Sequence, residues 1–290
     1  MMLNQSLKIT HINKFNQVVL SDIIYIGKKN TFKTNNNLDR IKKKTELIDR
    51  DSVYINNYTK LKLFGDIKIK INRKNNQIIF YKFDNNSTAY FKNGTLKNWK
   101  IEFYDLSDQN KLNKIDKISG FNGCLNFYDM EVIDINITSS NAQCEDAINF
   151  VRVSGKISKI RSQNSISDSV DFDFSNLVIN KIEIMNSGND CIDFSYGNFE
   201  INYANLINCG DKAVSVGENS KLIVSDINIA QSQTGIASKD YSDFYGENVR
   251  ITNVNICLSA YNKKQEFSGG LIKVNSLNCS EYKQLEYKDV

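Results

Sequence analysis

Short runs in which apolar and polar residues alternate with a period of two fill the second half of the chain, as in half-buried β-strands. One five-residue run returns every 22 or 23 residues. It occupies 123–127, 146–150, 168–172, 190–194, 212–216, 235–239 and 258–262. The period predicts seven coils in one register, with equivalent sites at Asp146, Asp168, Asp190, Lys212 and Gly235.

Each coil also holds a second alternating stripe, such as 177–184 or 222–229, and a polar turn with glycine, such as 186–188. One coil cannot bury its own apolar face, whereas stacked coils bury it together at about 4.8 Å per layer. The leucine-asparagine signature of leucine-rich repeats is missing. The sequence therefore predicts an all-β, right-handed parallel β-helix, a solenoid of 22–23-residue coils with an irregular N-terminal cap.

The pattern divides the chain into four parts. We predict a basic N-terminal segment and cap at 1–50, irregular early β coils at 51–119, the regular parallel β-helix at 120–275 and a C-terminal tail at 276–290.

The strand parity separates a core face from a polar face. The residues expected to point inward are Ile148, Val170, Ile192, Val214 and Ala237, together with Phe150, Phe172, Phe194 and Val216. We predict an internal aromatic stack from them. The opposite parity predicts an outward polar ladder of Asn126, Asn149, Asp171, Asp193, Ser215 and Ser238, which Asp173 continues.

Asp171 and Asp193 are the candidate catalytic carboxylates of this ladder. They should lie about 5 Å apart on adjacent layers, where two carboxylates resist ionising together and one pKa rises. Such a pair suits acid–base chemistry at a sugar ring, and it also suits calcium, which prefers several oxygen ligands. The alternative is that the ladder is ordinary turn and surface chemistry.

Lys212 and Lys239 are predicted near the same face. Either one is a candidate to neutralise a uronate, stabilise an enolate-like intermediate or act as a base. The alternative is a salt bridge to Asp190, Asp211 or Asp240.

The remaining polar and aromatic positions receive binding or structural roles. The candidate substrate-binding residues are Asn149, Asp173, Ser215, Ser238 and Tyr261. Exposed aromatic residues such as Tyr196, Tyr241, Tyr245 and Tyr261 are candidates for stacking on sugars. The aspartates at the turn entering each strand, Asp146, Asp168 and Asp190, are expected to cap turn amides.

Residues 144–269 resemble a widespread group of bacterial right-handed parallel β-helix repeat proteins. The resemblance lies in the strings EDA at 145–147, DFDFSN at 171–176, GNDCID at 188–193, GDKAVSVGE at 210–218 and GIASKD at 235–240. It implies this fold and carbohydrate-linked settings, namely cell-surface proteins, capsule loci and, more distantly, pectate-lyase-like enzymes.

Charge and composition exclude several classes of function. The net charge is +4, with a basic excess near the N-terminus that is either a solvated arm or a contact for an anionic membrane surface or acidic polymer. No zinc spacing or RNA-binding signature accompanies it, so no nucleic-acid partner is expected. The single histidine, His11, lies outside the repeats, which argues against triad chemistry and a His-rich zinc site.

Location is predicted from the N-terminus and the cysteines. No apolar run of signal-peptide type opens the chain, and no run is long enough for a transmembrane segment. The six cysteines form no C-x-x-C pair, and we interpret them as free, mostly buried thiols. These features favour the cytoplasm, while a cell surface or phage particle reached by another route would look the same.

The sequence thus predicts a carbohydrate-directed protein that acts on or binds a polysaccharide or oligosaccharide, or its precursor. If it is catalytic, we expect a polysaccharide lyase or epimerase rather than a nucleophilic hydrolase. The competing hypothesis is a non-catalytic glycan-binding or structural module of a surface or phage assembly. A homo-oligomer is compatible with either.

Overall fold

The computed structural model describes residues 52–108 and 121–288, together with two short strands near the N-terminus. These two strands, β1 (Thr10–Ile12) and β2 (Val18–Leu20), pair antiparallel. The rest of the predicted N-terminal cap lies outside the described residues. Within the described part every regular element is a strand, and it contains no helix that is long and apolar enough to span a membrane.

The regular solenoid is built from nine strands that pair in parallel. They are β10 (Gly123–Ser140), β11 (Asp146–Ser165), β12 (Asp168–Asp173), β13 (Asn176–Ser187), β14 (Ile192–Ser195), β15 (Asn198–Gly217), β16 (Lys221–Lys239), β17 (Asp243–Tyr261) and β18 (Leu271–Lys288). Each strand, or pair of short strands, runs once around the solenoid and pairs with the next coil. The predicted parallel β-helix is therefore confirmed.

The inward side of these strands holds a column of phenylalanine rings. Phe127, Phe150, Phe172 and Phe194 stack with successive centroid distances of 4.8, 4.9 and 5.0 Å. All four rings are fully buried. The predicted aromatic stack is confirmed, and Phe91 extends it by one ring toward the N-terminus at 5.1 Å.

The predicted register holds as far as Val216 and then fails by one residue. Val214 pairs with Ile236, a step of 22 residues, so Lys212 pairs with Thr234 and the assignment of Gly235 to this row is wrong. The cause is a bulge in β15, because Cys209 pairs with Ser232 at a step of 23 just before the shift.

A slip of one residue reverses the side of every side chain that follows. Ala237 pairs with Ser215 and belongs to the outward row, whereas Ser238 pairs with Val216 and points inward, so both predicted orientations are wrong. Lys239 lies two residues after Ala237 and therefore also faces outward.

The early part of the chain mixes parallel and antiparallel pairs. Its strands are β3 (Ser52–Tyr54), β4 (Lys60–Phe64), β5 (Ile67–Asn72), β6 (Gln77–Lys82), β7 (Thr88–Lys92), β8 (Thr95–Lys97) and β9 (Lys100–Asp105). β7, β8 and β9 pair in parallel with β10, while β3–β4, β4–β7 and β5–β6 are antiparallel. A fully buried ion pair, Lys82 Nζ to Asp105 Oδ2 at 2.5 Å, joins β6 to β9.

The coil formed by β18 carries charged residues at positions that point inward in earlier coils. Glu286 pairs with Leu258, and Lys288 pairs with Ala260, in the row that points inward in earlier coils. The two charges form an ion pair at 2.7 Å. Charged residues that point inward on an outermost strand discourage further strand pairing.

All six cysteines are paired, so the prediction of free thiols is wrong. The disulfides are Cys124–Cys144, Cys191–Cys209 and Cys257–Cys279. Each joins residues 18 to 22 positions apart. This separation is close to the length of one coil, and residues one coil apart are neighbours in the solenoid.

Replacing Phe172 by alanine should lower the free energy of unfolding by about 3–5 kcal/mol, because it removes one ring from a buried column. The matched control is Phe174→Ala in the same coil, whose ring is 53% exposed and whose loss should cost less than about 1 kcal/mol. Urea unfolding followed by circular dichroism measures both. Equal losses would contradict the assigned parity.

Peptide mapping under non-reducing conditions should recover the three linked cysteine pairs. Each bond closes a loop for which chain-entropy arguments give about 3 kcal/mol of stabilisation. Dithiothreitol should therefore lower the thermal unfolding midpoint. Free thiols in the folded, air-exposed protein would contradict the pairing.

Candidate functional site

Five side chains lie on the outward side of the stacked strands whose inward side carries the phenylalanine column. Asn149, Asp171, Asp193 and Ser215 are register partners in successive coils. Asp173 lies two residues after Asp171 and therefore faces the same side. The structure thus brings these five predicted residues together on one face. We call them the acidic ladder.

A second row lies at the turn that enters each strand. Asp168 Oδ1 accepts a hydrogen bond from the backbone amide of Asp190 at 2.8 Å, and Asp190 Oδ1 accepts one from the backbone amide of Lys212 at 2.9 Å. Turn capping is confirmed for these two aspartates. Asp146, in the same row, instead accepts a bond from Asn149 Nδ2 at 3.2 Å.

Burial and mutual repulsion raise the pKa values of the carboxyl groups where the two rows meet. The pKa of Asp171 lies well above its ordinary value because burial, then Asp146 and Asp173, disfavour its charge. Burial and Asp168 do the same to the pKa of Asp146. Burial, followed by repulsion from Asp190, raises the pKa of Asp168 to about 7. Burial and mutual repulsion therefore disfavour the charged forms of these three carboxyl groups.

The pKa of Asp173 is also affected by its neighbours. Burial raises the pKa of Asp173, the side chain of Asp171 opposes the rise, and repulsion from Asp193 adds to it.

Lys239 reaches back along the ladder toward the N-terminus. Its Nζ lies 2.6 Å from Ser215 Oγ and 3.8 Å from Asp193 Oδ1, and its side chain is only 4% exposed. The path crosses Gly217, where a Cβ atom would lie 2.7 Å from Lys239 Cε. The absence of a side chain at Gly217 thus allows the lysine to join the ladder, where it faces Asp193, two coils before the predicted partner Asp240.

Lys212 is held in the salt bridges that the alternative interpretation predicted. Its Nζ lies 3.6 Å from Asp190 Oδ1 and forms a short ion pair with Asp211. Burial lowers the pKa of Lys212, but the two carboxylates outweigh this effect and raise it. The ammonium group is therefore already neutralised.

The C-terminal side of the ladder is closed by the loop 262–270. Lys264 Nζ binds Glu218 Oε1 at 2.6 Å, and Ser195 Oγ donates to Glu218 Oε2 at 2.7 Å. Burial raises the pKa of Glu218, but these two bonds outweigh it and the net pKa lies below the ordinary value. Asp240 Oδ1 anchors the loop by accepting the backbone amide of Lys264 at 2.7 Å.

Two exposed aromatic rings border the ladder. Phe174 and Tyr196 directly follow Asp173 and Ser195, and their rings stack at 4.8 Å with an interplanar angle of 3°. They are 53% and 37% exposed. Phe267, from the loop 262–270, approaches Tyr196 edge-on at 6.4 Å.

The two remaining predicted binding residues are Ser238 and Tyr261. Ser238 is buried and donates to the backbone oxygen of Ser242, so its predicted place in the ladder is wrong. Tyr261 pairs with Lys239 at the C-terminal end of the outward face. Burial raises the pKa of its hydroxyl group.

Sequence reasoning missed three residues of the site. They are Phe174, Lys264 and Phe267. A signal existed for Phe174, because it stands 22 residues before Tyr196 and follows a ladder residue, as Tyr196 does. No repeat signal existed for Lys264 or Phe267, since the loop that carries them interrupts the coil period.

Asp171 is one of the two predicted calcium ligands, but within the described residues it belongs to no group of three carboxylate, histidine or cysteine ligands close enough together to share one ion. Calcium prefers several oxygen ligands, so a calcium site at Asp171 stays a prediction. Asp193, the other predicted ligand, is engaged by Lys239. A separate group of Asp105, Cys124 and Cys144 offers no thiolate, because both sulfur atoms form a disulfide.

Comparisons with known proteins place this chain in no family. No family model matches it, and no match was found among curated proteins or among solved structures. The parallel β-helix is therefore established by the strand register of this chain itself.

Replacing Asp168 by asparagine should stabilise the protein at pH 8 more than at pH 4. The folded state keeps a proton on Asp168 up to a pKa of about 7, whereas an unfolded aspartate loses it near pH 4, so wild-type stability falls as the pH rises between these values. Asparagine removes this penalty and keeps an oxygen for the amide of Asp190. We expect a gain of about 1–2 kcal/mol at pH 8, because partial exposure screens the effect.

Thermal unfolding across this pH range measures the difference. Asp226→Asn, on another face and 42% exposed in its side chain, is the control and should give a shift that does not grow with pH. A constant shift for the Asp168 variant would contradict the role assigned to its burial.

Proposed function

We propose that this chain is a carbohydrate-directed β-helix protein that binds a polysaccharide or its precursor along the acidic ladder. The observation that carries the proposal is a row of carboxyl, amide and hydroxyl groups bordered by the exposed Phe174–Tyr196 stack. Binding sites for small polar ligands combine a few fixed polar groups with aromatic surface in this way. Polar groups repeated in successive coils also suit the successive units of a short glycan segment.

A catalytic role of lyase or epimerase type is the second candidate. The two candidate carboxyl groups have different surroundings, since burial and neighbouring aspartates raise the pKa of Asp171, whereas Asp193 faces Lys239. Different environments for two carboxyl groups are a common basis for acid and base roles. Lys212 and Lys239 are engaged by carboxylates, so a calcium ion at Asp171 would have to supply the positive charge that a uronate requires.

The expected kinship and setting remain part of this proposal. The coil strings resemble bacterial β-helix repeat proteins of capsule and cell-surface contexts, and a non-catalytic module of a surface or phage assembly is the alternative use of the same fold. The expectation of the cytoplasm depended partly on free thiols. The three disulfides favour an oxidising compartment or an extracellular surface instead.

The test is a glycan array with a parallel turnover assay, each with and without calcium. The double variant Asp171→Asn, Asp193→Asn should bind the captured glycan at least about tenfold more weakly, because it alters two hydrogen-bonding groups of the ladder and each hydrogen bond contributes about 0.5–1.5 kcal/mol. Asp226→Asn is the control and should bind like the wild type.

Each outcome separates the alternatives. Turnover by the wild type that is lost in a folded double variant would establish catalysis. Binding without turnover would establish a binding module. A wild-type protein that captures no glycan under any condition would refute the proposal.

A further inference from the structure

The cations near the ladder are already used, and four aspartates remain without one. Lys239 faces Asp193, Lys212 faces Asp190, and Lys264 faces Glu218. No salt bridge within the described residues reaches the remaining carboxyl groups, which we call the four-aspartate cluster: Asp146, Asp168, Asp171 and Asp173.

The cluster has many hydrogen-bond acceptors and few donors. Asn149 is only 5% exposed, and its Nδ2 donates to Asp146 at 3.2 Å and to Asp171 at 3.0 Å. Its Oδ1 has no hydrogen-bond partner. A buried acceptor of this kind, beside carboxyl groups that repel one another, marks a place where a donor-rich cation is missing.

The aromatic stack has one occupied face and one open face. Tyr196 covers the C-terminal face of Phe174. The residue one coil before Phe174 is Arg152, since Val151 pairs with Asp173. Arg152 turns away from Phe174 to bind Asp129 at 3.0 Å, and its guanidinium lies over the Tyr128 ring at 4.4 Å, both in the preceding coil.

Within the described residues no ring covers the other face of Phe174, whose side chain is 53% exposed. Coils are about 4.8 Å apart, which is also a normal stacking distance for a ring. Asp173 precedes Phe174 directly, and Asp171 lies two residues before Asp173 on the same side of β12. A ring on Phe174 thus has its substituents beside Asp173, the nearest member of the four-aspartate cluster, with Asp171 next along the strand.

We infer that this place binds an amino sugar, with the pyranose ring on the open face of Phe174 and its free ammonium group beside Asp173 and Asp171, at the near end of the four-aspartate cluster. The inference rests on the proposed function and names its ligand class. The ammonium group supplies three donors and one positive charge, which the cluster lacks. A uronate would add a fifth carboxylate there and is disfavoured.

The experiment compares two oligosaccharides that differ only in charge. Chitosan tetrasaccharide, with free amines, and its fully N-acetylated counterpart are titrated into the intact chain by calorimetry at about pH 6.5 with EDTA present. We expect the free-amine form to bind at least about tenfold more tightly, and its affinity to fall with added salt. Oligogalacturonate should not bind without calcium.

Two variants separate the ring contact from the charge contact. Phe174→Ala should weaken both chitosan forms by about tenfold, because it removes the stacking surface. Asp173→Asn should weaken the free-amine form alone. Tyr282→Ala, an exposed aromatic residue on the last coil, is the control and should change neither affinity.

The outcomes distinguish this inference from the proposed function. Equal affinity for the two chitosan forms, or no effect of Phe174→Ala, would overturn the inference while leaving glycan binding intact. Calcium binding at the cluster that the free-amine oligosaccharide does not displace would also overturn it. Failure of every glycan on the array would instead refute the proposed function.

Discussion

Every part of this structure depends on the parallel backbone ladder, which stacks residues one coil apart directly on one another. On the inner side, the ladder places phenylalanine on phenylalanine at 4.8 to 5.0 Å. On the outer side, the same hydrogen bonds place Asp171 on Asp193 and Asp146 on Asp168. Stacked rings attract at that spacing, whereas stacked carboxylates repel. The core therefore holds in place a face that would otherwise push itself apart.

The chain itself shows what a purely structural ladder looks like. At another turn, Asn141, Asn164, Asn186 and Asn208 stack in the left-handed conformation. The side-chain amides of the last three each donate to the asparagine one coil earlier, at 2.8 to 3.0 Å. Stacked asparagines form hydrogen bonds with one another and carry no charge. An aspartate in such a row would therefore not stabilise the fold more than asparagine does. The raised pKa values in the acidic ladder show that aspartates there oppose folding. Perturbed carboxyl groups on one face are a reason to assign that face a function.

The sequence predicted whatever the period controls, and failed where the period breaks. The coil length, the phenylalanine column and the ladder from Asn149 to Ser215 all follow from equal steps. Gly235 and Ser238 were misplaced because a bulge in β15 changes the spacing between paired residues from 23 to 22 within one coil. The spacing of the turn residues does not reveal where in the coil such a change occurs. The predicted register did not place Lys239 on the outward side, so its contact across Gly217 with the acidic ladder could not be predicted. The disulfides join residues about one coil apart, which a search for C-x-x-C motifs cannot detect.

The same register limits the length of ligand that the face can hold. Arg152 and the Tyr128 ring occupy the outward side before the open face of Phe174, and the loop 262–270 covers the far side through Lys264 and Phe267. Between these limits lie about three coils, or roughly 10–15 Å along the solenoid. That length suits two or three sugar rings. The ladder is therefore better suited to a short segment of a glycan, bound at one acidic position, than to a long polymer held evenly along the whole solenoid.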